Sequence, residues 1–517
     1  MAIIPLAWMP PLMFGGLVVF MLIGFPVAFS LMAAGLFFSL IAMSQGFFDL
    51  VFLQAIPQRI FGGVLANDLL LAIPFFTFMG AILERCGLAE EMLDSMGQLF
   101  GRIRGGLGYS VIIVGFILGA ITGTVAAQVI AMAMISLPVM MRYGYNMRYA
   151  TGVLAASGTI TQLVPPSLVL IVLADQLKTQ SGSADVGSMY LGAWGPSLLQ
   201  IALFALYTFF LSRFRPDWLP AVPESDLKVK GFALWKKCLA GIIPSAALIF
   251  LVLGTIMLGI ATPTESGAMG AMGALILAWM RRDKIPRLGK LIQESYQNTM
   301  RITAMVVFIL IGSTCFSVVF QGVDGGRWVE QLFSNLPGGW MGFLIVVNIF
   351  IFFLAFFLDF FEIAFIVVPM LAPVAEKLLS PVLLDLMNGN PQAASSAALV
   401  WFGVMLCVNM QTSFMHPPFG FALFYLRGVA PKEVKSSDIY WGALPWVGLQ
   451  IIMVFAVMAF PALVTTLLDK PVAVAASQDY NFHNENPEPN ELGDSDSKPK
   501  PVDENAPVVF QLDKPKK

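Results

Sequence analysis

Charge is scarce in this chain. Only 12% of its 517 residues are Asp, Glu, Lys or Arg, against roughly 25% in soluble domains. Apolar residues make up 57%, and the mean hydropathy is +0.79. A soluble fold would have to bury almost all of this surface, which excludes that class. The net charge of −2 is spread thinly and offers no basic face for nucleic acid. Cysteine is also rare. Cys86, Cys238, Cys315 and Cys407 have no paired spacing, so neither a disulfide framework nor a zinc site is indicated. Phosphate-binding lysine loops, metal-spaced histidines and nucleophile elbows are missing. These absences argue against an enzyme, an organic cofactor and ATP hydrolysis by the chain itself. No cleavable leader stands out either. Trp8 to Met43 is apolar for longer than a leader's core and lacks a basic start and a clean cleavage site. It reads as a retained first membrane segment.

What is present is a series of apolar runs near the length that crosses a bilayer, about 20 residues. They fall near 10–43, 69–84, 109–141, 149–174, 190–212, 239–260, 263–280, 302–322, 340–378, 397–426 and 441–468. The first is long enough to be tilted, kinked near Pro26 or split into two passes. Two others, 109–141 and 340–378, are also too long for one crossing and have polar interruptions. These are Thr122-Gly123-Thr124 in one and Asp359 with Glu362 in the other. Re-entrant hairpins fit both.

Two further runs share an unusual break. One reads Ser157-Gly-Thr-Ile-Thr-Gln-Leu-Val-Pro-Pro-Ser167 and the other Asn409-Met-Gln-Thr-Ser-Phe-Met-His-Pro-Pro-Phe419. Each carries a hydroxyl, Thr161 or Ser413, four residues before a proline pair. Proline removes backbone donors and ends a helix. Freed backbone groups survive at membrane depth only inside protein or around a wet cavity. Interrupted helices at matching places in two halves point to the binding site of a secondary transporter.

The two halves match in order. The runs 69–84 and 302–322 precede amphipathic connectors at 85–106 and 323–338, then hairpin and proline break. Pro26 and Pro263 also correspond. The first repeat is expected over 1–212, a cytoplasmic linker over 213–238 and the second repeat over 239–468. Orientation follows from basic residues. Six lie in 213–238 and six in 281–301, with Arg85, Arg102, Arg104, Arg142, Arg148, Arg427, Lys432 and Lys435 in loops on the same side. Arg59, Lys178, Arg327 and Lys377 are left for the other side. The excess marks the first side as cytoplasmic. The repeats are then inverted, and the expected fold is an all-α polytopic membrane protein with re-entrant hairpins and broken helices. The tail, 469–517, is acidic and rich in lysine and proline. It is expected to be disordered and outside the cytoplasm.

These pieces resemble the large membrane subunit of tripartite ATP-independent periplasmic (TRAP) transporters over roughly 10–468. The resemblance rests on Leu71-Ala-Ile-Pro-Phe-Phe76, Ile103-Arg-Gly-Gly-Leu-Gly108, Ala261-Thr-Pro-Thr-Glu-Ser266, Pro369 to Pro373 and both proline breaks. It implies a sodium-coupled importer of small organic acids, such as dicarboxylates, in a bacterial inner membrane. It also implies an elevator-type ion-transporter fold and two partners. One is a small four-helix membrane subunit, expected as a separate chain. The other is a periplasmic substrate-binding protein. The sequence departs from the family at the first hairpin tip, at Asp359-Phe-Phe and at His416.

Sodium prefers hard oxygen ligands. Unwound backbone and hydroxyls at Ser157, Gly158 and Thr161, and at Asn409, Thr412 and Ser413, supply them. Helix C-terminal ends favour a cation and N-terminal ends an anion. Thr122, Gly123 and Thr124 offer oxygens at a tip, or simply back-bond to their own helix. Asp359 and Glu362 are costly at membrane depth, which makes them candidates, and their spacing puts them on one helical face. They, with His416, form the remaining substrate-binding set. Gln128, Gln162 and Gln411 read as lesser candidates, more often bonds between helices than ligands. Glu265 reads as structural. The alternative is a stand-alone, proton-coupled secondary transporter using His416. A channel or membrane enzyme accords poorly with paired hairpins.

Overall fold

The structure, a computed structural model, describes residues 5–226, 232–285, 287–334, 336–416 and 420–469, with only the backbone of Ile121 and Thr122. Pro417 and Pro418 of the second break, residues 227–231 of the linker and 470–517 of the tail therefore lie outside the described residues. Helix satisfies every backbone polar group within its own segment, which hydrocarbon demands. Among the described residues the one extended contact is a bridge between Lys178 and Ser183. Eight helices there are long and apolar enough to cross a bilayer. Phe209, Phe250 and Phe455 are exposed on them, as side chains facing lipid must be.

The scaffold comes from the two repeats, crossed over. Repeat one contributes α1 (Met9–Leu22), α2 (Val27–Ser44), α3 (Leu50–Ile60) and α4 (Ala72–Arg85). Repeat two contributes α11 (Phe232–Met257), α12 (Pro263–Met280) and α13 (Leu288–Gly322). Helix α2 packs on α13, and α12 packs on α4, so each repeat completes the other. Pro26 and Pro263 each stand at a helix start, before α2 and at the first position of α12. Proline is tolerated there because that N–H is free anyway. Glu265 closes a capping box on Thr262. Between α3 and α4 the chain bends by 47°, after a π turn that contains Gly62 and Gly63.

Two expectations are sharpened here. The first apolar run is two helices, α1 and α2, parted at Ile23–Pro26. The basic stretch 281–301, read above as a loop, turns helical at Leu288. Arg281, Arg282, Lys284 and Arg287 precede that helix, whereas Lys290 and Arg301 ride on α13, long enough at 35 residues to continue past the hydrocarbon.

The amphipathic connectors are α5 (Leu88–Phe100) and α14 (Gly325–Ser334). Each leads into a hairpin. The first is α6 (Gly106–Thr122) and α7 (Val125–Arg142). The second is α15 (Gly339–Leu354), then α16 (Phe360–Glu362), a π turn at Ile363–Val367 and α17 (Val368–Leu383). The Ser313 hydroxyl on α13 donates to the Phe365 carbonyl in that π turn at 2.6 Å.

The broken helices follow. The first is α8 (Met147–Thr159), a 3-10 turn Ile160–Gln162 and α9 (Leu168–Gln176). The second is α18 (Pro391–Met410), a 3-10 turn Gln411–Met415 and α19 (Phe421–Val429). Helix α9 packs on α18, and α19 packs on α8. The half after each break thus lies beside the half before the other, as inversion requires. Among the described residues three further α-helices follow: α10 (Val186–Phe214), α20 (Ser436–Ala459) and α21 (Ala462–Thr465). The span Pro391–Met415 is 89% buried and that of α10 only 22%, which puts the second break at the centre and α10 at the rim.

Candidate functional site

The first break is held open by side chains. Ser167 caps α9 by accepting from Val169 N at 3.1 Å, and its hydroxyl donates back to the Gln162 carbonyl. Gly115 on α6 faces Ser157 so closely that a Cβ would lie 2.8 Å from the serine Cβ. A Cβ on Gly158 would lie 2.2 Å from Val129 on α7. Both hairpin arms therefore rest on the end of α8 because these two positions are glycine.

One amide locks this contact. Gln128 Nε2 on α7 donates to the Gly115 carbonyl at 2.6 Å and to the Ser157 carbonyl at 3.1 Å. Its amide orientation is thereby fixed, and Gln128 Oε1 meets the Thr161 hydroxyl. The same hydroxyl lies 2.7 Å from the Gly158 carbonyl. Thr161 has one proton for these two acceptors. The Ser157 hydroxyl and Gln162 Oε1 are also buried without a hydrogen-bond partner. The end of α8 is thus rich in oxygen and poor in donors.

The second half repeats the lock with different residues. Asn409 Nδ2 on α18 donates to the Asn348 carbonyl on α15 at 2.8 Å and to Asn348 Oδ1 at 3.0 Å. Thr412 and Ser413 bond back to their own helix, at 2.7 Å to the Asn409 and Met410 carbonyls. Each break is also tied to a neighbouring helix: the Gln411 amide pairs with Gln200 on α10 at 2.7 Å, and Gln450 Nε2 on α20 donates to Thr159 at 2.9 Å.

The hairpin tips differ. Gly123 takes φ +63°, the left-handed turn that glycine permits, and Thr124 is extended at the start of α7 without a side-chain cap bond. Only the backbone of Thr122 is described, so its hydroxyl lies outside the described residues. In the second tip Asp359 and Glu362 do not share a helical face. Asp359 stands just before α16 and accepts from Phe360 N at 2.7 Å, while Glu362 Oε2 accepts from Asp359 N at 3.0 Å. This reciprocal capping box satisfies donors that a helix start leaves free. The spacing has a capping role where sequence reading saw a shared face. His416 is buried with a Phe356 ring stacked at 4.3 Å and a Phe352 ring edge-on at 4.4 Å. Neither imidazole nitrogen has a hydrogen-bond partner.

The sodium candidates therefore divide. Ser157, Gly158 and Thr161 gather around one point with Gln128. Asn409, Thr412 and Ser413 gather in the second break, their polar hydrogens already engaged. Sequence reading ranked Gln128 low and missed Asn348 and the phenylalanines beside His416. A lone amide in an apolar hairpin arm was the available signal.

The family model for the tripartite ATP-independent periplasmic transporter, DctM component, matches residues 14–463. The chain belongs to that family. Among similar proteins is a C4-dicarboxylate TRAP transporter large permease protein of Rhodobacter capsulatus, 28% identical over 466 residues, 87% of this chain and 97% of that one. A sialic acid TRAP transporter large permease protein of Vibrio cholerae is 25% identical over 438 residues, 85% of this chain and 93% of that one. Among solved structures, the YdaH transporter of Alcanivorax borkumensis aligns with a TM-score of 0.54 at 14% identity, covering 81% of this chain and 91% of that one. That likeness concerns the fold. This DctM-component chain is accordingly a large permease subunit of a TRAP system, multi-pass in the inner membrane. Its family is one of transporters, built as one component of a tripartite assembly.

Proposed function

We propose that this chain is the transport-catalysing subunit of a sodium-coupled symporter for small organic acids. A periplasmic binding protein would deliver the acid, and a small four-helix subunit would complete the membrane part. The observation that carries the sodium reading is the Thr161 hydroxyl, with one proton for the Gln128 and Gly158 oxygens. A cation there would draw on all three oxygens at once. The negative end of α8 adds to its attraction. The organic-acid reading is supported by the acids in the relatives' names and by family membership. Elevator motion accords with the crossed scaffold around interleaved hairpins and breaks.

Uptake into proteoliposomes that hold the chain, its small subunit and its binding protein tests this. An inward sodium gradient is expected to drive uptake. A proton gradient alone is expected to leave it at background. Proton-driven uptake without sodium would overturn sodium coupling and move attention to His416.

A further inference from the structure

His416 has no counterpart in the first half. The residue directly before the first proline pair is Val164, buried and apolar. The second break places an imidazole at that position, and only 3% of it is exposed. Buried nitrogens without partners are uncommon in folded proteins and ask for an explanation. Here the ring is covered by phenylalanine instead of by polar groups. Phe356 stacks on it at 16° between planes, Phe352 meets it at 74°, and Phe352 and Phe356 contact each other at 5.6 Å. All three belong to hairpin two and break two, the parts that pair in the transport core.

Charge narrows what these groups can hold. The sequence has no Lys or Arg from 328 to 376 or from 378 to 426. The cations of hairpin two and break two are Lys377 on α17, paired with Glu330, and Arg427 in the last turn of α19, bonded to the Val434 carbonyl; the stretches that carry Phe352, Phe356 and His416 hold none. The acids at the hairpin tip are Asp359 and Glu362. A substrate with two carboxylates would have to leave its second one facing carboxylates and phenyl rings. A substrate with one carboxylate meets no such conflict.

We infer that His416, Phe352 and Phe356 form the specificity pocket of the organic-acid site, and that it takes a monocarboxylate with a flat aromatic body. The imidazole N–H donates to the carboxylate. Phe356 now occupies the face of His416, and the substrate's ring replaces it there when the hairpin opens. Ring-on-ring contact favours an aromatic occupant over an aliphatic chain of equal length. This inference rests on the organic-acid reading above but does not require sodium coupling.

The test is thermal unfolding of the full chain in lipid nanodiscs, titrated with benzoate, phenylacetate and succinate, in sodium and in potassium. An aromatic acid is expected to raise the unfolding temperature at a concentration at least tenfold below succinate. His416→Gln should raise the required aromatic acid concentration at least tenfold. Phe356→Leu should erase the preference for aromatic over aliphatic acid, and Val164→Ala should leave it intact. Stabilisation by succinate at an equal or lower concentration overturns the inference, with or without the variants. So does a flat response to all three acids. An aromatic response equal in sodium and potassium keeps the inference and removes the sodium coupling proposed above.

Discussion

The Cys407 thiol donates to the carbonyl of Gln162 at 3.2 Å, and so one sulfur joins the two broken helices across the middle of the protein. That carbonyl also accepts from Ser167. The thiol is therefore a second donor to an oxygen already satisfied. Cys407→Ala is expected to cost only about 1 kcal/mol, the size of one ordinary hydrogen bond. Chemical unfolding in detergent micelles measures this, and a loss several times larger would show that the sulfur's packing matters more than its bond.

Gln128 is a different case. Replacing it with Leu takes its amide bonds away from the Gly115 and Ser157 carbonyls, while the Thr161 hydroxyl keeps the Gly158 carbonyl. Unsatisfied buried polar groups are costly, so the expected loss is about 2–4 kcal/mol. The same unfolding measurement should rank Gln128→Leu well above Cys407→Ala.

Thr161 and Ser413 occupy matching places but keep different company. Thr161 shares its proton between two oxygens, whereas Ser413 donates to the Met410 carbonyl alone. Thr161→Val is expected to raise the sodium concentration for half-maximal uptake at least tenfold, while Thr161→Ser stays near wild type. Ser413→Ala should shift it less than threefold. Sodium titrations of uptake in proteoliposomes give all three values, and equal effects at both positions would assign the ion to both breaks.

An acid-sensitive contact lies outside the membrane core. Glu91 on α5 accepts from Arg281 at 2.9 Å and from Lys284, tying the first connector to the α12–α13 loop. Partial burial pushes its carboxyl up, but the Lys284 and Arg281 bonds outweigh this and hold it below the usual 4.5. A carboxyl depressed by folding stabilises above its unfolded value and loses that contribution as pH falls through the folded one. The difference in unfolding temperature between wild type and Glu91→Gln should stay constant from about pH 8 to about pH 5. It should shrink below about pH 4.5. A difference that shrinks on going up in pH instead would contradict the assignment.

Much of this was legible in the sequence because it depends on local chemistry. Proline pairs end helices wherever they occur, and apolar runs too long for one crossing must fold back, so α8 with α9 and the α6–α7 hairpin could be placed from residue order alone. Contacts between distant segments were not legible. Nothing near Gln128 in the chain announces that its amide will meet Gly115 on one side and Ser157 on the other. Asp359 and Glu362 carried a readable capping signature, but the same spacing also suits one helical face, and the turn before α16 decides between them. The length of α13 was underestimated because a charged stretch resembles a loop even when helix continues past the hydrocarbon.

The interleaving of α9 with α18 and of α19 with α8 has a consequence for how such a chain can arise. A single repeat made alone would leave one side of its broken helix uncovered, with exposed carbonyls at the break that lipid cannot satisfy. The missing cover has the shape of the same repeat turned upside down. A gene encoding one half could therefore work only if its product entered the membrane in both orientations and paired with itself. Joining two copies end to end removes that need, and each half is then free to change its own break, as Val164 and His416 now differ.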